Sequence, residues 1–115
     1  MKAYNLHDVW LFEQLQDSEF AAEFLNAASE DDDPATYLLA LRKVVDARGG
    51  MAIVAEKTSL SRETLYRTLS RRGNPTIKTL STILKATGLK IAVAASQWDI
   101  PIRANARTLY PLTRQ

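Results

Sequence analysis

A chain of 115 residues with 46% hydrophobic and 24% charged side chains has room for one domain with a single modest core, and its balance is that of an ordinary globular protein. It contains no cysteine and a single histidine, His7, which excludes thiol chemistry and leaves too few ligands for a zinc or iron centre or a histidine-based catalytic site. The net charge of +2 conceals a separation: residues 1–33 set one lysine against nine carboxylates, net −8, residues 34–95 carry +8, and residues 96–115 add +2.

An acidic front and a basic centre predict a polyanion at the centre and a basic partner, or partial shielding, at the front, although solvated charge on helix faces would look similar. No apolar run of about 18 residues suggests a membrane span, and MKAYNLHDVW lacks the apolar core of a signal peptide, so a cytoplasmic protein is expected.

In chain order, Val9, Phe12 and Leu15 recur at helical spacing and predict a short helix over about 7–16. Ser18 is the expected cap of a second helix with the stripe Phe20, Phe24, Leu25 and Ala28, ending near Ser29. The run EDDDP places Asp33 as a cap and Pro34 at the first position of a third helix, and Tyr37, Leu38, Leu41, Val44 and Val45 face its core. Gly49 and Gly50 stop it. A short helix over 51–57 turns Val54 and Ala55 inward and leads through Thr58-Ser59-Leu60 to a helix capped by Ser61, whose box is incomplete because Thr64 stands where Glu or Gln is usual. Thr76 caps a last helix that buries Ile77, Leu80, Ile83 and Leu84 and stops at Gly88. The alternation in LKIAVAA, residues 89–95, predicts a strand, either paired with its copy across a dimer axis or packed singly on the helices. Residues 96–115, with Trp98, Ile100, Ile102, Leu109, Tyr110 and Leu112, form a tail too apolar to be inert.

The fold class expected is therefore all-α: a five- or six-helix bundle with a terminal strand, divided into an acidic segment 1–33, a DNA-binding domain 34–95 and a tail 96–115. Two short helices joined by a tight turn, with small Ala55 at their approach, Leu60 as a plug and Leu65 and Leu69 as anchors, are the arrangement of a helix-turn-helix. The second helix then exposes Arg62, Glu63, Tyr66 and Arg67 as candidate readers of base edges, although the Tyr66 ring could equally pack on the scaffold. Ser61, Arg71, Arg72, Asn74, Thr76 and Lys78 lie around it as candidate phosphate contacts.

Residues 19–93 resemble the addiction-module antidote proteins, HigA-like antitoxins of the Xre, lambda-repressor-like class, through ARGGMA, LSRETLYR, GNPT and the final LK-I-V. The resemblance implies a bacterial DNA-binding antitoxin that pairs with a small RelE-like ribonuclease toxin and represses its own operon, with Arg62, Glu63, Tyr66 and Arg67 on DNA. SRRGNP is more basic than the usual loop of that family, and the chain after Ala95 runs past its usual end. The partners expected are operator DNA, a second copy of the chain and a small basic toxin docking on residues 1–33. No cofactor is expected. The alternatives are a stand-alone phage-type repressor and a protein-interaction module on the same scaffold without DNA binding. An enzyme is disfavoured by the lack of a carboxylate pair or glycine-rich phosphate loop.

Overall fold

The computed structural model describes residues 5–95, which form six helices and no strand. They are α1 (Leu6–Gln14), α2 (Ser18–Ala28), α3 (Pro34–Ala47), α4 (Gly50–Thr58), α5 (Arg62–Thr68) and α6 (Ile77–Ala86). None is long and apolar enough to cross a membrane.

The helix starts follow local side-chain chemistry. Asn5, Asp17, Asp33, Ser61 and Thr76 each accept a hydrogen bond from a backbone N–H two or three residues on, at 2.7, 2.9, 2.9, 3.0 and 3.1 Å respectively. For α2 the cap is Asp17 rather than the expected Ser18, because the aspartate carboxylate reaches the Phe20 amide and Ser18 is already the first helical residue. Between α3 and α4 the chain must reverse within three residues, which it does with Gly49 and Gly50 at φ of +129° and +89°. Side chains rarely tolerate that region.

α3 is the centre of the bundle: α1, α2 and α4 pack on it, and α4 in turn carries α5 and α6. Leu38, Leu41, Val44 and Val45 of α3 are buried as the spacing predicts, and Leu41, Val44 and Val45 share one core with Leu25 of α2, Val54 and Ala55 of α4, Leu65 and Leu69 around α5, and Ile83 and Leu84 of α6. Each such side chain contributes roughly 1.5–3 kcal/mol on burial. Tyr37 is half-buried at the edge of this core, and desolvation pushes its phenol above the usual tyrosine pKa.

Three expectations need correction. Of the spaced set Val9, Phe12 and Leu15 only Leu15 is buried; α1 docks through Leu11 and Leu15, leaving Val9 and Phe12 at 46% and 45% exposure. Ile77 is 75% exposed, since the buried face of α6 begins one turn later, at Leu80, Ile83 and Leu84. Within one copy residues 89–95 form no strand, and Val93 is almost fully exposed, so the alternative of a single strand packed on the helices is the one corrected. The tail expected over 96–115 lies outside the described residues.

One side chain joins three helix ends. Arg48, the residue that closes α3, donates from Nε to the carbonyl of Thr87 at 2.6 Å, and from Nη1 to the carbonyls of Gln16 at 2.7 Å and Leu15 at 3.4 Å. Thr87 closes α6, and Leu15 and Gln16 close α1, so a cation stands where three helices present their negative ends. Gly88 leaves it room: a Cβ there would lie 3.1 Å from the guanidinium.

Charge-assisted hydrogen bonds of this kind are worth about 1.5–3 kcal/mol. Arg48→Met should therefore lower unfolding stability by about 2 kcal/mol in urea titration, and Arg48→Lys should recover only part, since an ammonium cannot reach the Thr87 carbonyl and the Leu15 and Gln16 carbonyls together. A loss below about 0.5 kcal/mol in Arg48→Met would show that the helix ends are held without it.

Candidate nucleic-acid interface

The basic centre of the chain is displayed by α4, α5 and the loop that follows. The two helices are joined by Ser59, Leu60 and Ser61. Ser59 adopts the left-handed conformation at φ +63°, the only non-glycine among the described residues with positive φ. Leu60 donates its N–H to the Ala55 carbonyl at 3.2 Å and its side chain packs against the core, so the turn closes over the buried Ala55. Leu65 is fully buried beneath α5 and Leu69 beneath its end. With those two positions inward, Arg62, Glu63, Tyr66 and Arg67 are all on the exposed surface of the seven-residue helix, where the spacing places them.

Tyr66 is tied down more than its three companions. The guanidinium of Arg42, on α3, stands 4.6 Å from its ring centroid, and Arg42 Nε lies 3.6 Å from the Asp46 carboxylate one turn further along α3. That stacking, worth about 0.5–1 kcal/mol at an exposed site, orients the ring on the scaffold while the residue keeps 40% of its surface. Sequence reading missed Arg42. Its signal was present, since Arg42 and Lys43 interrupt the apolar run of α3, but nothing in a linear pattern shows that Tyr66 of α5 comes to lie against Arg42.

Around α5 the six peripheral candidates are all exposed, and they fall into two groups. Ser61 and Thr76 are engaged locally: the Ser61 hydroxyl accepts from the Thr64 amide and donates to the Thr64 hydroxyl at 2.8 Å, and Thr76 is paired in the same way with Thr79 at 3.2 Å. Thr64 thus takes up the cap hydroxyl where a glutamate would reach back to the cap amide in the usual box. Arg71, Arg72, Asn74 and Lys78 are turned to the surface, and Arg71 makes a 3.5 Å ion pair with Asp33, the cap of α3, both side chains being more than half exposed. Such a pair contributes little to stability.

Gly73 fixes where the loop lies. A Cβ there would come within 1.9 Å of the Thr68 carbonyl oxygen, so the loop passes directly against the last turn of α5 and carries Arg71, Arg72 and Asn74 beside the exposed face of that helix. Together the elements form a projecting helix with a mixed polar front and cations at its end, an arrangement suited to groove contacts and phosphate contacts respectively.

Two substitutions probe this geometry with opposite signs. Ser59→Gly should raise stability by about 1 kcal/mol in thermal or urea unfolding, by removing the left-handed penalty. Gly73→Ala should lower it by more than about 1 kcal/mol, because backbone rather than a flexible side chain must move. Equal and small effects from both would mean that neither the turn nor the loop is held as described.

Residues 5–95, the same span that the structure describes, match the family model for probable addiction module antidote proteins. An uncharacterised protein of Haemophilus influenzae is 34% identical over 93 residues, covering 81% of this chain and 95% of that protein. No solved structure matches the chain. On the strength of these two matches, the chain belongs to the family of probable addiction module antidote proteins.

Proposed function

We propose that the protein is the antitoxin of a type II toxin–antitoxin module, a non-enzymatic cytoplasmic regulator that neutralises a small RelE-like ribonuclease toxin and represses its own operon by sequence-specific DNA binding. Family membership supports the antitoxin role. The single observation that carries the DNA-binding part is the exposed face of α5, with Arg62, Glu63, Tyr66 and Arg67 outward over buried Leu65 and Leu69 and with the Gly73 loop bringing cations alongside.

In this reading α4 and α5 act as a helix-turn-helix, with α5 in the major groove. Arg62 and Arg67 donate to guanine edges, Glu63 accepts from cytosine amino groups, and Tyr66, oriented by Arg42, reads through its hydroxyl or packs its ring on a thymine methyl. Arg71, Arg72, Asn74 and Lys78 hold phosphates, and Ser61 and Thr76 contribute only where their hydroxyls leave their caps. Arg71 must exchange Asp33 for a phosphate. That exchange is inexpensive, since the existing pair is exposed.

A single seven-residue helix has little area with which to hold DNA, so we place two copies on a palindromic operator with their recognition helices about 34 Å apart. The segment 89–95, with Ile91 and Val93 exposed on the same side of its alternation, supports pairing between copies as a two-stranded sheet that fills both edges.

Gel-shift titration against the DNA upstream of the gene, at two salt concentrations and with competitor DNA, tests the reading. Specific, salt-sensitive binding is expected. Arg67→Ala should lose about 1–3 kcal/mol and relax preference at one base pair, whereas Arg72→Ala should weaken all sequences alike and reduce the salt slope by about one. Absence of specific binding by the parent chain would leave a toxin-binding module on a scaffold that does not read DNA.

A further inference from the structure

α1 is apolar on more sides than it buries. Of its nine residues, Leu6, Val9, Trp10, Leu11 and Phe12 are apolar, yet only Leu11 is buried. Trp10 finds a partial partner in Phe20 of α2, edge to face at 5.8 Å. Val9 and Phe12 find none of that kind: they line an open cleft of about 850 Å³ between α1 and α3, floored by Leu11 and Leu15. A short helix that is hydrophobic on most sides is ordinarily a covered helix, and an exposed apolar cleft with a polar rim is the usual form of a protein-docking site.

Charge identifies what covers it. Residues 5–33 carry nine carboxylates and no lysine or arginine, and three carboxylates stand on the cleft itself: Asp8 and Glu13 from α1 and Asp46 from α3. The opposing cations on the α3 wall are Arg42 and Lys43, and Arg42 is already drawn to Asp46 and to the Tyr66 ring. A second copy that met the cleft with its own acidic arm would set carboxylates against carboxylates, and a nucleic acid would set phosphates against them. A basic protein meets neither repulsion.

We infer that the α1–α3 cleft is the docking site of the module's toxin, which inserts an apolar side chain between Val9 and Phe12 and ranges lysines or arginines against Asp8 and Glu13. The inference rests on the antitoxin reading above and names the surface that performs it. Because the cleft wall includes Arg42, the same site abuts the residue that stacks on the Tyr66 ring, so an occupant that displaces Arg42 also changes the face offered to DNA.

Calorimetric titration of the full chain with the small protein encoded beside its gene, at low and high salt, tests this. Phe12→Ala and Glu13→Lys alter exposed positions, and circular-dichroism melting verifies that each still folds. The expected result is tight, salt-sensitive binding by the parent, at least tenfold weaker binding by both variants, an intermediate loss for Glu13→Gln, and operator binding within twofold of the parent throughout. Tight binding by the parent with both variants within twofold of it would overturn the site and leave the antitoxin reading intact. No binding by the parent would overturn both. A change in sedimentation of Phe12→Ala without a change in toxin affinity would assign the cleft to a second copy and overturn the inference.

Discussion

The Arg48 guanidinium is the one polar contact on which the arrangement of the bundle turns. Apolar packing alone would let α1 and α6 slide along their neighbours, since such contacts have little direction. Hydrogen bonds from a rigid planar fork to carbonyls on both sides set register as well as proximity. Three helices end at that one cation, and the Gly49-Gly50 reversal that begins α4 follows it at once in the chain. The position of α4, and therefore of α5, descends from that junction.

α5 itself has no means of standing alone. Isolated helices of seven residues are not stable in water. It persists because Leu65 and Leu69 are fully buried, because Ser61 and Thr64 satisfy its start, and because the Gly73 loop closes against its last turn. Its exposed residues can then be chosen for contact chemistry. Tyr66 is the exception, sharing its ring with Arg42, so that part of the exposed face of α5 is stiffened by α3.

The charge division along the chain becomes spatial in the fold. The carboxylates of α1 and α2 belong to helices that pack on α3, and the cations of α5 belong to a helix that packs on α4. The two regions touch at Asp33 and Arg71, where the cap of α3 meets the loop after α5. Arg42 of α3 connects the two regions by its own contacts, lying beside Asp46 and over the Tyr66 ring.

How much of this is written in the chain itself depends on the range of the interactions concerned. Capping at Asp33, Ser61 and Thr76, the glycine stops, the existence of all six helices and the outward face of α5 follow from side chains reaching backbone groups within three or four residues, and are legible from spacing alone. Which edge of α1 faces inward, and hence that Val9 and Phe12 line a cleft, is decided by how α1 meets α3, because its apolar residues surround it and the pattern names no single face. Ile77 is exposed for a related reason: periodicity identifies a stripe but not where the neighbouring helix begins to cover it. Arg48, Arg42 and Gly73 act on groups distant in sequence or brought close by chain reversal, and their roles exist only once the helices have packed. The alternation of residues 89–95 is a local property, whereas a strand requires hydrogen-bonding partners, and those a single copy of the described chain does not supply.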